Sequence, residues 1–252
     1  MSTKRKSLIA GNWKMYKTPG ESVEFVKSLI ENTKEYNDRD ILVCPPFTSL
    51  PVVSEILLKN SSIKMGAQNV YFEDEGAFTG EISPVMLKDI GVEYVICGHS
   101  ERRKIFGETN EIVNKKMKIL LEYQMIPILC VGEKIEERKS GRTFDVIRTQ
   151  VENCLAGLEG QHQVVIAYEP VWAIGTGLTA TPEQAEEVHL FIRKMIEDLY
   201  GQETEKAIRI LYGGSVKPDN IDLLMRQKDI DGVLVGGASL SIESFVRIIE
   251  YR

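Results

Sequence analysis

Residues 168–177, Tyr168-Glu169-Pro170-Val171-Trp172-Ala173-Ile174-Gly175-Thr176-Gly177, join a carboxylate to a segment with the composition of a lid. Glu169 closes the apolar run Val164–Tyr168, which reads as a buried strand. Pro170 fixes φ just after it. Val171, Trp172, Ala173 and Ile174 then precede two glycines, and an ordinary exposed loop does not carry four such side chains in a row. A lid that covers an apolar site does. Partial burial beneath it raises a carboxylate's pKa towards that of a useful general base, so Glu169 is the candidate base of a reaction shielded from water.

Three further places could meet this carboxylate. In Gly11-Asn12-Trp13-Lys14 an extended backbone sends Asn12 and Lys14 to one side and Trp13 to the other. That pairs a cation with an amide donor for an anionic substrate, although Lys14 taken alone reads more readily as a surface lysine. His99 follows Gly98 at the end of the run Tyr94–Cys97, and a helix starting beside its ring disfavours the protonated imidazole. Glu101, Arg102 and Arg103 beyond it read as a solvated charge cluster. The last place is a pair of glycine-rich ends, Tyr212-Gly213-Gly214-Ser215-Val216 and Val235-Gly236-Gly237-Ala238-Ser239. Paired glycines admit a ligand close to main-chain N–H groups, and a following helix start favours an anion. Gly175-Thr176-Gly177-Leu178-Thr179-Ala180 matches a dinucleotide fingerprint in letters only, because Glu169, Pro170 and further residues separate it from its strand.

The elements that must bring these places together recur along the chain. Short apolar runs lie at Leu8–Ala10, Ile41–Cys44, Ile63–Ala67, Tyr94–Cys97, Ile126–Val131, Val164–Tyr168, Ile208–Leu211 and Gly232–Val235. Helical spacing intervenes, as in Val23, Val26 and Ile30, or Ala185, Val188, Ile192, Met195 and Leu199. Thr18-Pro19-Gly20-Glu21 and Thr181-Pro182-Glu183-Gln184 are helix starts with capping boxes. Eight doubly apolar strands alternating with amphipathic helices predict an α/β protein, a single-domain (β/α)8 barrel over residues 1–252. In such a barrel all strand C-termini open on one face, and the loops after strands seven and eight are a habitual phosphate site. Residues 68–82 form a long connection carrying Val70, Tyr71, Phe72 and Phe78, and such a loop needs a partner to cover it.

Composition bounds the function. With 252 residues, 43% hydrophobic and 27% charged, the chain has the make-up of an ordinary globular domain. Its net charge of −6 argues against a nucleic-acid binder but leaves room for a small anionic substrate. No run of eighteen apolar residues is present, and the apolar stretch near Met1 is too short for a signal peptide, so neither membrane nor export is expected. Cys44, Cys97, Cys130 and Cys154 have no metal or redox spacing and read as buried thiols of a cytoplasmic protein.

Ala10-Gly11-Asn12-Trp13-Lys14, Gly98-His99-Ser100-Glu101-Arg102-Arg103, the whole of 168–177 and both glycine-rich ends together resemble the triosephosphate isomerase family, in the right order along the full chain. The resemblance implies interconversion of dihydroxyacetone phosphate and D-glyceraldehyde 3-phosphate through an enediolate, in glycolysis and gluconeogenesis, with no cofactor and no metal. It makes Glu169 the base, His99 the electrophile, and Lys14 and Asn12 the groups that stabilise the enediolate. Asn12, Trp13, Lys14, Gly175, Ser215, Gly236 and Gly237 become substrate-binding residues, under a lid over 170–177. Glu101 and Cys130 become supporting residues behind them. It also implies a cytoplasmic homodimer joined through loop 68–82, with Thr79 near the loop's tip. Leu178 stands where the family usually has lysine, and Cys97 replaces a more usual aliphatic residue, placing an oxidisable thiol near the site. Two other readings share parts of the pattern: another phosphate-binding (β/α)8 enzyme, and a non-catalytic binding protein on this scaffold.

Overall fold

The computed structural model describes residues 5–60, 62–158, 163–174 and 179–252. Its strands are β1 (Ser7–Asn12), β2 (Arg39–Cys44), β3 (Lys64–Ala67), β4 (Tyr94–Cys97), β5 (Ile126–Val131), β6 (Val165–Tyr168), β7 (Arg209–Tyr212) and β8 (Gly232–Val235). They pair in parallel in chain order, and β8 closes on β1 through Leu8↔Gly232 to Gly11↔Val235. The expected (β/α)8 barrel is thus observed, and β4, β5 and β8 have the bounds their apolar runs predict. β1 runs on to Asn12 because that residue still registers with Cys44 on β2.

Strands covered on both faces must be apolar on both. One set of alternating side chains, including Leu8, Ala10, Leu42, Ile96, Cys130 and Leu234, fills the barrel. The intervening set, including Ile9, Val43, Val95, Leu129 and Ile166, packs outward on the helices. Each fully buried aliphatic side chain contributes roughly 1.5–3 kcal/mol.

The helices are α1 (Pro19–Thr33), α2 (Leu50–Asn60), α3 (Pro84–Asp89), α4 (Ser100–Ile105), α5 (Asn110–Glu122), α6 (Ile135–Lys139), α7 (Thr143–Leu155), α8 (Pro182–Ala207), α9 (Ile221–Met225) and α10 (Ile242–Ile249). Both predicted capping boxes form: Thr18 with Glu21 on α1, and Thr181 with Gln184 on α8. The buried face of α1 differs from the expected Val23, Val26 and Ile30. Phe25, Val26 and Leu29 are buried, whereas Val23 and Ile30 are half-buried, because Phe25 packs edge-on against the Trp13 ring and turns the helix that way. On α8 the stripe drifts from Met195 to Ile196 and Tyr200, as a period of 3.6 requires, and leaves Leu199 exposed. Among the described residues, no helix is long and apolar enough to cross a membrane.

Loop 68–82 is more self-sufficient than its composition predicts. Val70 is buried, Tyr71 stacks on Phe72 with centroids 4.3 Å apart and lies 4.6 Å from Phe78, and the Tyr71 N–H donates to the Ile82 carbonyl across the loop's neck. Phe78 remains exposed at the tip side.

Candidate active site

The C-terminal ends of the strands surround a cavity of about 630 Å³. Asn12, Lys14, His99, Glu101, Glu169, Ser215, Gly236 and Gly237 all line it, so places far apart in sequence converge as the barrel requires. Gly213, Gly214, Ile174 and Leu234 are also on its wall.

Glu169 leaves β6 with its N–H on the Val131 carbonyl, and its side chain is buried. The approach is possible because residue 132 is glycine: a Cβ there would stand 1.7 Å from the Glu169 carbonyl oxygen. One carboxylate oxygen lies 2.9 Å from His99 Nε2, and the other accepts the Ser100 N–H at 3.0 Å. His99 is the N-cap of α4, reached by the left-handed turn at Gly98, whose φ is 69°. Its Nδ1 accepts the Glu101 N–H at 3.3 Å. A ring nitrogen that accepts carries no proton, so the imidazole is neutral with its proton on Nε2, donated to Glu169.

The two groups set each other's acidity. For Glu169, burial raises the pKa, but the His99 ring, the Ser100 N–H and Lys14 outweigh it and hold the carboxyl below the usual carboxylate range. For His99, burial lowers the pKa while the Glu169 charge more than offsets it, so the ring is more basic than a free imidazole. A second proton, on Nδ1, has to displace the Glu101 N–H, and the raised basicity favours that step as the pH falls.

Asn12 and Lys14 reach the cavity by a route that differs from the extended backbone expected. Lys14 has φ 52°, and the Asn12 side-chain oxygen accepts the Lys14 N–H at 3.0 Å, closing a small turn at the strand end. Gln68 donates to the Lys14 and Cys44 carbonyls at 2.8 and 2.9 Å and holds that turn from below. The Lys14 ammonium pairs with Glu101 at 2.5 Å. Trp13, expected among the substrate-binding residues, is placed elsewhere: it is fully buried in the outer layer against Phe25 and does not line the cavity.

Cys130 lies fully buried inside the barrel on β5, its thiol pushed well up by burial first and by the Glu169 charge second. Cys97 faces the helix layer instead, its Sγ near the Val95 carbonyl. Burial pushes that thiol up to about 12, so the oxidisable group expected beside the site is sealed and protonated. Gly175, Gly177 and Leu178, named in the lid and its hinge, lie outside the described residues.

The first part of the lid is held by a group the sequence reading missed. Glu133, fully buried, accepts from the Trp172 indole N–H at 2.8 Å, the Tyr168 hydroxyl at 3.1 Å and the Arg138 guanidinium at 3.0 Å. Its carbonyl takes the Val171 N–H, and the Arg138 guanidinium covers the Trp172 ring at 4.9 Å. The signal was present, since Glu133 follows the strand end Val131-Gly132 much as Glu169 follows Tyr168. Ser100 was missed for a different reason: its contribution is a backbone N–H, which any residue type supplies. Among the described residues, no group of three or more His, Cys, Asp or Glu side chains could hold a metal ion.

A buried carboxylate, a neutral imidazole and an ammonium around one cavity can move a proton to and from carbon while stabilising charge on oxygen. Comparison with known proteins agrees with that chemistry. The family model described as triosephosphate isomerase matches residues 7–252. A triosephosphate isomerase of Dictyoglomus thermophilum is 56% identical over 248 residues, covering 98% of this chain and 99% of that one. The triosephosphate isomerase of Carboxydothermus hydrogenoformans is 56% identical over 248 residues, covering 98% of each chain. That of Endomicrobium trichonymphae is 56% identical over 249 residues, covering 98% and 99%. The chain therefore belongs to the triosephosphate isomerase family.

Proposed function

We propose that Glu169 and His99 are the base and the electrophile with which this chain performs the reaction of its family. That reaction is the interconversion of dihydroxyacetone phosphate and D-glyceraldehyde 3-phosphate. The contact of 2.9 Å between Glu169 and the donor nitrogen of a neutral His99, on the wall that also carries Lys14, is the observation that supports this reading most.

In the forward direction the Glu169 carboxylate takes a proton from C1 of dihydroxyacetone phosphate. The C–H electron pair becomes the C1–C2 double bond, and the carbonyl electrons move onto O2. The Lys14 ammonium, the Asn12 amide and the His99 Nε2–H stabilise that charge, which is where catalysis has to act because a proton beside a carbonyl is only weakly acidic. His99 moves the O1 proton to O2, and protonated Glu169 returns its proton to C2. Every hydrogen stays within substrate and site, so the isomerisation needs no redox cofactor.

In the free protein Glu169 and His99 hold each other, so substrate must part them. Glu169 then loses the ring and turns to carbon, with Ile174 and Leu234 on the same cavity wall. Burial remains while its leading partner is gone, and the carboxylate becomes a stronger base. The phosphate sits at Ser215, Gly236 and Gly237, a site made mainly of neutral donors, which suits a chain of net charge −6. The lid starting at Pro170 closes over the enediolate and excludes water.

A coupled assay with D-glyceraldehyde 3-phosphate tests the whole reading. Glu169→Gln lowers kcat by about 10²–10⁴, the usual worth of a general base, and leaves KM near its original value. Near-normal turnover by that variant would remove Glu169 from the role.

A homodimer through loop 68–82 belongs to the same reading. Phe78 in that loop and Met15, Tyr16 and Phe106 outside it are exposed, and Met15 and Phe106 line a recess of about 250 Å³ that shares Asn12, Lys14 and His99 with the active site. A second copy's loop, led by Thr79, would fill that recess and cover those side chains. Sedimentation at assay concentration is expected to give a dimer; a fully active monomer would end the idea. Four free and buried thiols support a reducing cytoplasmic location.

A further inference from the structure

Both glycine-rich ends are tied down from outside the cavity by side chains that the reaction does not touch. Asn220 spans the turn after β7: its Nδ2–H donates to the Ser215 carbonyl at 2.9 Å, and its Oδ1 accepts the Lys217 N–H at 2.8 Å. The equivalent tie after β8 is Ser239, whose hydroxyl and N–H both donate to the Gly236 carbonyl, at 2.7 and 2.8 Å. In a trans peptide the C=O and the following N–H point in opposite directions. Holding the Ser215 carbonyl from outside therefore turns the Val216 N–H the other way, and both Ser215 and Val216 line the cavity. It also keeps a carbonyl oxygen, which an anion would repel, away from the ligand.

The placement of Asn220 adds a second observation. It is the N-cap of α9, a position where an asparagine oxygen ordinarily accepts an N–H of its own helix and stabilises it by about 1 kcal/mol. Here it makes no such bond and is turned back onto the preceding turn. Both ends of its amide serve residues 215–217 instead of the helix it begins.

We propose that Asn220 is a positioning residue for the substrate's phosphate, acting through the turn Ser215–Lys217. This rests on reading that turn, with Gly236 and Gly237, as the phosphate end of the site. Asn220 contributes no donor to the anion itself. It fixes the backbone so that the donors of Ser215 and Val216 face the anion before it arrives, and holds in place Lys217, which lines the same cavity.

The test compares the original protein with Asn220→Ala and Asn220→Ser in three measurements. These are kcat/KM for D-glyceraldehyde 3-phosphate, competitive inhibition by inorganic phosphate, and turnover of glyceraldehyde, which has no phosphate to hold, followed by proton NMR. In Asn220→Ala the loss of two hydrogen bonds at the turn is expected to lower kcat/KM for the phosphorylated substrate roughly five- to tenfold and to raise the inhibition constant of phosphate by a similar factor. Glyceraldehyde turnover is expected to fall less than twofold. Asn220→Ser, which keeps one short donor and acceptor, should recover part of the loss. Unchanged phosphate inhibition in both variants, or an equal fall with glyceraldehyde, overturns the role of Asn220 alone. If inorganic phosphate does not compete in the original protein, the phosphate assignment of the two turns fails, and the role of Asn220 fails with it.

Discussion

Glu169 gains and loses base strength through its neighbours, and this gives the site a measurable signature. Free Glu169 is held below the usual carboxylate range, with His99 the leading partner against burial. A base acts only when ionised, and a depressed pKa keeps it ionised to lower pH. The acid limb of kcat/KM, which reports the free protein, should therefore lie below that of kcat, which reports the complex in which His99 has turned to substrate. His99→Asn removes the ring from both roles. It is expected to lower kcat by about 10²–10⁴ and to move the acid limb of kcat/KM upward, because the leading group that holds Glu169 down is gone while its burial remains. A pH–rate profile of the variant measures both at once. An unmoved limb would mean that the pair with its 2.9 Å contact does not set the acidity of Glu169 in solution.

At the scale of elements, strand ends and helix starts decide where these groups stand. Gly132→Ala puts a Cβ 1.7 Å from the Glu169 carbonyl, so β5 and the chain after β6 must part. A shift of about 1 Å in a catalytic group costs on the order of 10²-fold in rate, and the strain costs roughly 1–3 kcal/mol; steady-state kinetics and a urea titration check the two losses separately. Thr181→Ala removes the capping box of α8, where Thr181 and Gln184 exchange bonds of 3.0 and 3.2 Å, and should cost about 1 kcal/mol in the same titration with kcat little changed. Much of this level is legible in the sequence. Apolar runs bounded by glycine mark β4, β5 and β8, Thr-Pro pairs mark two helix starts, and the barrel rule alone brings Lys14, His99 and Glu169 to one mouth. What stays hidden depends on contacts between elements. Phe25 rather than Val23 faces inward because Trp13 is there to meet it, and Cys97 faces the helices because of the parity of its strand. Glu133 becomes the anchor of the lid's first turn only once Trp172, Tyr168 and Arg138 surround it. Asn220 drew no attention in the sequence, and only the geometry shows its amide turned back onto the turn before its helix.

Across the whole molecule, stability should carry the mark of one histidine that the reaction does not use. His189, on α8, is fully buried between the Tyr168 and Tyr212 rings, with centroids at 5.9 and 6.5 Å. Its Nδ1 lies 3.2 Å from the Asp229 carbonyl, and Arg193 follows one turn along the helix. Burial, with Arg193 assisting against the weaker pull of that carbonyl, lowers its pKa from 6.5 to about 3. In the unfolded chain the ring protonates near 6.5, whereas in the fold it stays neutral until far lower pH. Stability from this residue is therefore complete above pH 6.5 and is lost as pH falls from there towards 3, at about 1.4 kcal/mol per pH unit. His99 has the opposite sign and a different window: its raised pKa acts above 6.5, where lowering the pH adds stability. The depressed carboxyl of Glu108 is held down by Lys116 and Arg102 against burial, so it matters only below the ordinary glutamate range. Between pH 6.5 and 5 the fall should thus belong to His189, reaching about 2 kcal/mol at the lower end. Urea titrations at fixed protein concentration across that range are expected to show this slope in the original protein and to lose it in His189→Gln, whatever that variant's absolute stability. An identical slope in both would mean that the ring takes up a proton inside the fold.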